Sequence, residues 1–424
     1  MNQPLFSWLH LSDIHFGDPL ASDRAKKELL LTGLLQALPR ALSEGVPRPD
    51  VVLVTGDIAF SGAARDEGEY TRAGAWLDEV VAQLGRTRRD VFLVPGNHDV
   101  QRVAKADKGR LKRLRDVREG KQPLDDALNK PSSHDELLAR LAPYRSFARQ
   151  YAPDTLPSEE RLQAGALDWS HLRVQGGLRI RLFGLNSALL ANDVDAKERG
   201  RLRLGHKQLL ELTRSERHKE VVLVLTHHPV DYLGDAHIHH HLLHRAHLHL
   251  FGHIHDPGSL SLRSGEGQET VRIVAGAVHA SAHEGPTEFG FSFGAIVPGA
   301  RPEELRLRIW SWKYMEKQGG FHLDRNCVPG GAEYAEHSLG HVSYTPPSTL
   351  DVDGLVEVAR WLREACAPAY LEDVLARAQR LGATGNQLEH ARRKDWAVLL
   401  CKINETPGGV EALLRGIRLE PHMG

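Results

Sequence analysis

The stretch "DVFLVPGNHD", Asp90 to Asp99, sets a short apolar run against a turn that carries an amide, an imidazole and a carboxylate in succession. Four apolar residues rich in β-branched and aromatic side chains, closed by Pro-Gly, read as a buried strand ending in a turn. The same order recurs along the chain in "FSWLHLSD" (Phe6–Asp13), "DVVLVTGD" (Asp50–Asp57), "RIRLFGLNS" (Arg179–Ser187), "EVVLVLTHHP" (Glu220–Pro229) and "AHLHLFGHIH" (Ala246–His255). Amphipathic, helix-length segments such as Asp23–Ala41 and Glu69–Leu84 lie between several of them, so strand and helix alternate. That alternation predicts an α/β sheet with helices on its faces. Farther on, "TVRIVAGAVHA", "FSFGAIV" and "LRLRIWSWKY" follow one another without long helices and predict a second, more antiparallel region, giving two sheet layers between helices.

In open α/β sheets, functional groups gather just beyond the carboxyl ends of the strands. Those positions hold Asp13 and His15, then Asp57, then Asn97, His98 and Asp99, then His227 and His228, and finally His253 and His255. Oxygen and imidazole donors without thiolate suit hard to borderline divalent ions. Taken singly, Asp13, Asp57 and Asn97 also read as ordinary turn or cap residues.

In order along the chain, "SDIHFG", "TGDIAFSG", "PGNHD", "THHP" and "GHIH" resemble the five motifs of the calcineurin-like metallophosphoesterases. The resemblance covers about Leu5 to Trp312. It implies a four-layer αββα sandwich and a two-metal centre that cleaves phosphoesters. Carried over position by position, it implies that Asp13, His15, Asp57 and His255 hold one metal. Asp57 then bridges to a second metal held by Asn97, His227 and His253. Manganese is the first expectation for the two divalent ions, with iron or zinc as alternatives. The pair would generate hydroxide from a shared water near neutral pH. His98 is implied as the group that stabilises phosphoryl oxygens or protonates the leaving alkoxide, with Asp99 orienting its ring. His228 is left out of the ligand set, because neighbouring side chains do not easily point at one centre, and is expected to face substrate. His279 and His283, in "AGAVHASAHEG", are further candidates for substrate contact on the same rim.

The tract "HIHHHLLHRAHLHLFGHIHDP" places nine histidines between His237 and His255. Of these, His253 and His255 fall in the motif. His239, His240, His241 and His244 fall on a helix, His247 and His249 alternate with leucine as in a strand, and His237 precedes the helix. These seven read as surface or packing residues, with His237 or His239 as the pair that would touch substrate if any did.

With 424 residues, 41% hydrophobic and 26% charged, the composition is that of a globular chain, and a net charge of -1 argues against a uniformly basic, nucleic-acid-coating surface. No apolar run approaches the roughly 20 residues needed to span a bilayer. The beginning of the chain shows no secretory signal pattern, and three widely spaced cysteines fit a reducing cytoplasm. Residues 101–160 read as a helical insertion with a basic front half, "QRVAKADKGRLKRLRDVREGK", which is either a solvated helix face or a phosphate-backbone contact. Residues 328–349, rich in Gly, Pro and Ser, read as a linker between a domain at 1–327 and a small all-α bundle at 350–424. The bundle resembles the effector-associated, death-like adaptor domains of bacterial conflict and defence proteins, which implies a protein partner; a structural cap on the sandwich is the other reading.

The expected function is therefore a phosphodiesterase or nuclease acting on a nucleotide, cyclic nucleotide or nucleic acid. The motif wording resembles those branches more than the protein-phosphatase branch. A phosphomonoesterase, and a catalytically inert scaffold serving as an adaptor, are the competing readings.

Overall fold

The computed structural model describes residues 4–17, 21–175, 177–192, 197–255, 257–279, 288–299 and 304–342. The expected bundle at 350–424, the last part of the expected linker and His283 lie outside the described residues. Met1–His171 with Arg181–Val342 form the first of two compact units. Every described site residue belongs to the first.

Two sheets form the centre. In the first, β1 (Phe6–Leu11), β2 (Val51–Val54) and β3 (Val91–Leu93) run parallel, and β10 (Gly290–Pro298) and β11 (Glu304–Met315) extend the sheet antiparallel from β1. The far edge of the twelve-residue β11 is covered end to end by two short strands, β12 (Gly320–Leu323) and β13 (Ala335–His341). The second sheet has the order β4 (Trp169–Gln175), β5 (Leu178–Gly184), β6 (Val221–Leu225), β7 (Leu248–Phe251), β9 (Glu269–Val274), β8 (Gly258–Arg263).

The position of β13 corrects the expected linker. Gly, Pro and Ser around it suggested a segment with few contacts, yet Ala335 to Ser338 pair with Ile309 to Arg306, and after a bulge His341 pairs with Glu304. A two-faced polar strand such as "AEHSLGH" gives little periodic signal of its own, and its pairing is set by the unpaired edge of β11.

Why the strands read as continuous apolar runs is visible in the packing. Leu9, Leu11, Val52 and Val54 join one buried cluster with Leu30, Leu34 and Leu38 of α1 (Ala21–Ser43) and Ala73, Leu77 and Val80 of α2 (Glu69–Gln83). Their alternates Phe6, Trp8, Val51 and Leu53 are equally buried on the opposite face. There the sheets meet: Phe92 packs on Trp169 at 5.6 Å between ring centroids, and the Trp169 indole N–H donates to the Leu93 carbonyl at 2.9 Å. Strands covered on both faces lose the polar alternation of a one-sided sheet.

The segment after β3 folds as α3 (Lys108–Arg118), α4 (Leu124–Leu128), α5 (Pro131–Ala139), α6 (Ala142–Tyr151) and α7 (Glu159–Gln163). Two buried arginines lace it to the loop after β5. Arg118 donates to the Leu190 carbonyl at 2.8 Å and pairs with Glu198 at 3.0 Å. Arg140 donates to the carbonyls of Gln101, Leu189 and Ala191. Burial and the neighbouring Arg118 push the Arg140 guanidinium down to about 10, still far above neutrality, so it serves those carbonyls as a full cation. The remaining helices, α8 (His206–Thr213) and α9 (Ile238–Arg245), precede β6 and β7. Among the described residues no helix is long and apolar enough to cross a membrane.

Candidate metal centre

The strand-end turns converge on one point. After β1, Asp13 and His15 each take positive φ, 54° and 55°; after β2, Asp57 takes 52°, and after β7, His253 takes 65°. Only six described non-glycine residues adopt such angles, and four of them are expected ligands. Left-handed backbone at Asp and His costs of order 1–3 kcal/mol each and persists only where surrounding structure imposes it. Here the imposing contacts are main-chain: the amides of Ile14 and His15 both donate to the Asp57 carbonyl at 2.9 Å, and that of Asp13 donates to the Gly56 carbonyl at 3.1 Å. Close approach also demands glycine. A Cβ on Gly96 would fall on the Asp57 carboxylate, and one on Gly252 would meet Ser12 Oγ and Asp13 Oδ2.

The two buried aspartates are arranged alike. One oxygen of each is tied to the main chain of another motif: Asp57 Oδ1 accepts from the His98 amide at 2.8 Å, and Asp13 Oδ2 from the His253 amide at 3.1 Å. The other oxygen faces imidazoles. Asp57 Oδ2 lies 3.1 Å from His15 Nε2 and 3.3 Å from His227 Nε2, and so stands between two groups of donors. Asp13 Oδ1 is buried without a hydrogen-bond partner, 3.6 Å from His255 Nε2. Asn97 Oδ1 is 2.8 Å from His227 Nε2 and 3.1 Å from His253 Nδ1.

Carbonyl groups behind the histidines select the tautomer. His15 donates from Nδ1 to the His279 carbonyl at 2.9 Å, and His227 from Nδ1 to the Thr55 carbonyl at 2.7 Å. Nε2 of each ring, the nitrogen that would bind a metal on giving up its proton, is thereby left facing the carboxylates. The electrostatics match. Burial opposes ionisation of Asp57, but His227, His98 and His15 outweigh it and hold the carboxyl well below its usual range. Burial would likewise lower His227, and Asp57 with Asp13 instead raise it to about 9. Two desolvated carboxylates that recruit whatever positive charge is near make a site built for cations.

Three sets of side chains have ligand atoms mutually close enough for one ion: Asp13, Asp57 and His227; His15, Asp57 and His98; and His227, His228 and His253. The last brings in His228, which sequence reasoning had left out of the ligand set because adjacent side chains diverge. The turn after β6 overrides that expectation, with the His227 and His228 rings 4.8 Å apart and His228 4.6 Å from His253. His228 Nδ1 sits 3.0 Å from Ser187 Oγ, and its buried Nε2 has no hydrogen-bond partner. Burial, reinforced by His253 and His227, pushes its imidazole well down, so it stays neutral.

Two other expectations change. Asp99 was expected to orient the His98 ring, but its carboxylate accepts from the amides of Ile58, Ala59 and Gly96 and from the Tyr70 hydroxyl. It fastens the Asp57 turn to the Asn97 turn, and the His98 ring is held by the Phe60 carbonyl, 2.7 Å from Nδ1. His279 was expected on the rim; it is buried at 1% exposure, with its carbonyl behind His15 and its ring stacked near Phe289. Sequence reasoning passed over Ser187, Phe60 and Tyr232, which flank His228, His98 and His253. Ser187 closes the run "RIRLFGLNS", so the strand-end rule already marked it.

Residues 6–257 match the family model of the calcineurin-like phosphoesterases. The chain belongs to that family. No curated protein sequence matches this chain. Among solved structures it is similar to the sulfate thiohydrolase SoxB of Thermus thermophilus, at 13% identity and TM-score 0.39, covering 73% of this chain and 57% of that one. It is also similar to a 5'-nucleotidase from Candida albicans, at 10% identity and TM-score 0.38, covering 75% and 53%. A Vps29 from Entamoeba histolytica aligns at 11% identity and TM-score 0.27, covering 79% and 100%. The chain thus spans a little over half the length of the first two.

Proposed function

We propose that this phosphoesterase is a two-metal hydrolase of phosphodiesters in a nucleotide or nucleic acid. The observation that carries the reading is the placement of Asp57 Oδ2 between His15 and His227, which gives two donor groups one shared carboxylate. Asp13, His15 and His255 would complete one position, and Asn97, His227 and His253 the other, with His228 close to the second. Oxygen and imidazole donors fit manganese first, and iron or zinc as alternatives. Two divalent cations, when bound, supply an activated water and neutralise phosphoryl charge.

The remaining work falls to the chain. The Gly56, Gly96 and Gly252 turns hold the donors without side chains that would fill the space between them. His98, with Nδ1–H donated to the Phe60 carbonyl, carries its titrating lone pair on Nε2. In the imidazolium form, Nε2–H is the proton it would deliver to the leaving oxygen. Support for a polyanionic substrate comes from α3 and the segment after it. Lys108, Lys112, Arg115, Lys121 and Lys130 line an open groove, with Lys112 paired to Asp116 at 2.6 Å and Lys121 to Glu119 at 2.5 Å. Arg113 pairs with Glu136 at 2.6 Å and does not line the groove. An inert adaptor has no need for strained backbone at four donor positions. A monoesterase is separated from a diesterase by comparing chromogenic mono- and diesters on the metal-loaded protein. For residues 350–424 we propose a like-with-like adaptor contact of the conflict-effector kind.

Asp57→Asn tests the shared carboxylate. Activity should fall by several orders of magnitude and metal content should drop, measured by elemental analysis beside diester turnover. Normal turnover with two metals retained would refute the assignment.

A further inference from the structure

Where β3 and β4 form the edges of the two sheets, α5, α6 and α7 line a cavity of about 180 Å³ against them. Its inner wall is apolar and buried, made of Leu138, Leu141, Tyr144, Leu162, Leu167 and Trp169. A Cβ on Gly184, at the end of β5, would overlap the Trp169 indole, so that glycine is what admits the ring to the wall. A void of roughly 150 Å³ holds a benzene ring. This one has room for a single ring with a short arm.

The charged lining residues, Arg145, Arg149 and Glu159, are ones that solvent reaches, and they mark the mouth. Arg149 pairs with Glu159. The Arg145 guanidinium has no hydrogen-bond or ion-pair partner among the described residues, whereas Arg113, Arg118 and Arg140 of the same insertion are each held by a carboxylate or a carbonyl. Burial pushes Arg145 down against the pull of Glu159. A partly desolvated cation of this kind calls for a counter-ion. Farther in, the Tyr144 hydroxyl is buried without a hydrogen-bond partner. Asn186 Oδ1 accepts from the amides of Ala188 and Leu189, which leaves its NH2 group to serve the cavity it lines. None of the proposed metal donors lines the cavity, but Pro95 and Asn186 do, two residues before Asn97 and one before Ser187. It therefore shares two turns with the metal centre and none of its donors.

We propose that this cavity binds a single-ring aromatic carboxylate, with the ring against the buried wall and the carboxylate on Arg145. The volume sets the size, and the leucine and indole surfaces favour an apolar, flat body. A guanidinium without a partner takes a planar carboxylate through two parallel N–H donors. Glu159 at the same mouth disfavours a second negative charge on the ligand. The inference stands independently of the proposed reaction.

The test titrates the full-length protein with phenylacetate and with phenylacetamide, its neutral counterpart of the same shape, by calorimetry. Phenylacetate should bind saturably at one site with a Kd on the order of 1 mM or tighter, as roughly ten non-hydrogen atoms provide. Phenylacetamide should bind about tenfold more weakly, for want of the charge-assisted pair. Arg145→Gln, at a half-buried position, should bring phenylacetate down to the level of the amide. Leu156→Trp carries a larger side chain into the cavity from its half-buried rim and should abolish binding of both, with the melting temperature checking that the variant is folded. Absence of saturable phenylacetate binding would overturn the site, as would equal affinity for acid and amide. Undiminished phenylacetate binding in Arg145→Gln or in folded Leu156→Trp would place the ligand elsewhere, the metal centre included, and would overturn it too.

Discussion

His98 and His249 show what one imidazole does in two surroundings. His98 touches the proposed reacting centre but was not needed to assemble it: its amide supports Asp57, while its ring hangs from Phe60. His98→Ala keeps that amide. Metals should therefore be retained while diester turnover falls roughly 10²–10⁴-fold, the usual size of a lost general acid. A substrate with a good leaving group should suffer least. Equal losses across leaving groups would leave charge stabilisation as the role of the ring. His249 is sealed in β7. Thr226 Oγ1 donates to the His228 carbonyl, so His249 must donate from Nε2 to Thr226, which leaves Nδ1 as a bare buried lone pair. Burial, with Arg272 and His239 adding to it, pushes this imidazole down to about 3. In the unfolded chain it protonates near 6.5. Between those values the unfolded state binds a proton that the folded state refuses, so the neutral imidazole's contribution is intact above about pH 6.5 and is lost as pH falls. At pH 5 the loss is about 2 kcal/mol. His249→Leu should flatten the fall in melting temperature between pH 7 and 5, and identical pH profiles for the two proteins would contradict this. These residues also mark the reach of sequence reasoning. The donors were legible because each stands at the end of an apolar run. The tautomer, the convergence of His228 and the real partners of Asp99 were not, since they depend on carbonyls and amides brought from other strands.

At the scale of elements, the strands were legible because both of their faces are buried and each stops at a turn. β13 was not, because an edge strand takes its pairing from a neighbour. The basic insertion was legible as charge but not as charge pattern. On α3, Arg113 is neutralised by Glu136 and Lys112 pairs with Asp116 at 2.6 Å, while Lys108 and Arg115, with Lys130 from the start of α5, line the groove. Exposed pairs of this kind exchange readily for a phosphate, because each is worth little in water. Reversing Lys108, Arg115 and Lys130 to Glu should weaken cleavage of an oligonucleotide at least tenfold while leaving a small diester nearly untouched. The difference should shrink with added salt, as counterion release requires. Equal losses on both substrates, insensitive to salt, would mean that the groove does not serve the substrate.

For the whole molecule, the question is whether the metal centre depends on anything beyond its own compact unit. Its donors come from the ends of β1, β2, β3, β6 and β7, and the sheet edge behind them is closed by β12 and β13, both complete before Val342. A chain ending at about Pro347 retains all of these strands. It should fold, bind two metals and turn over a small diester at near-normal rate. If residues 350–424 are the adaptor proposed above, the same truncation should abolish self-association or partner capture, measured by light scattering. If they cap the sandwich, removing them uncovers apolar surface, and aggregation with a marked drop in melting temperature should follow. The two outcomes differ in solubility before any partner is known. A soluble, active, truncated chain with unchanged assembly would defeat both, because neither an interface nor a cover can be removed without trace.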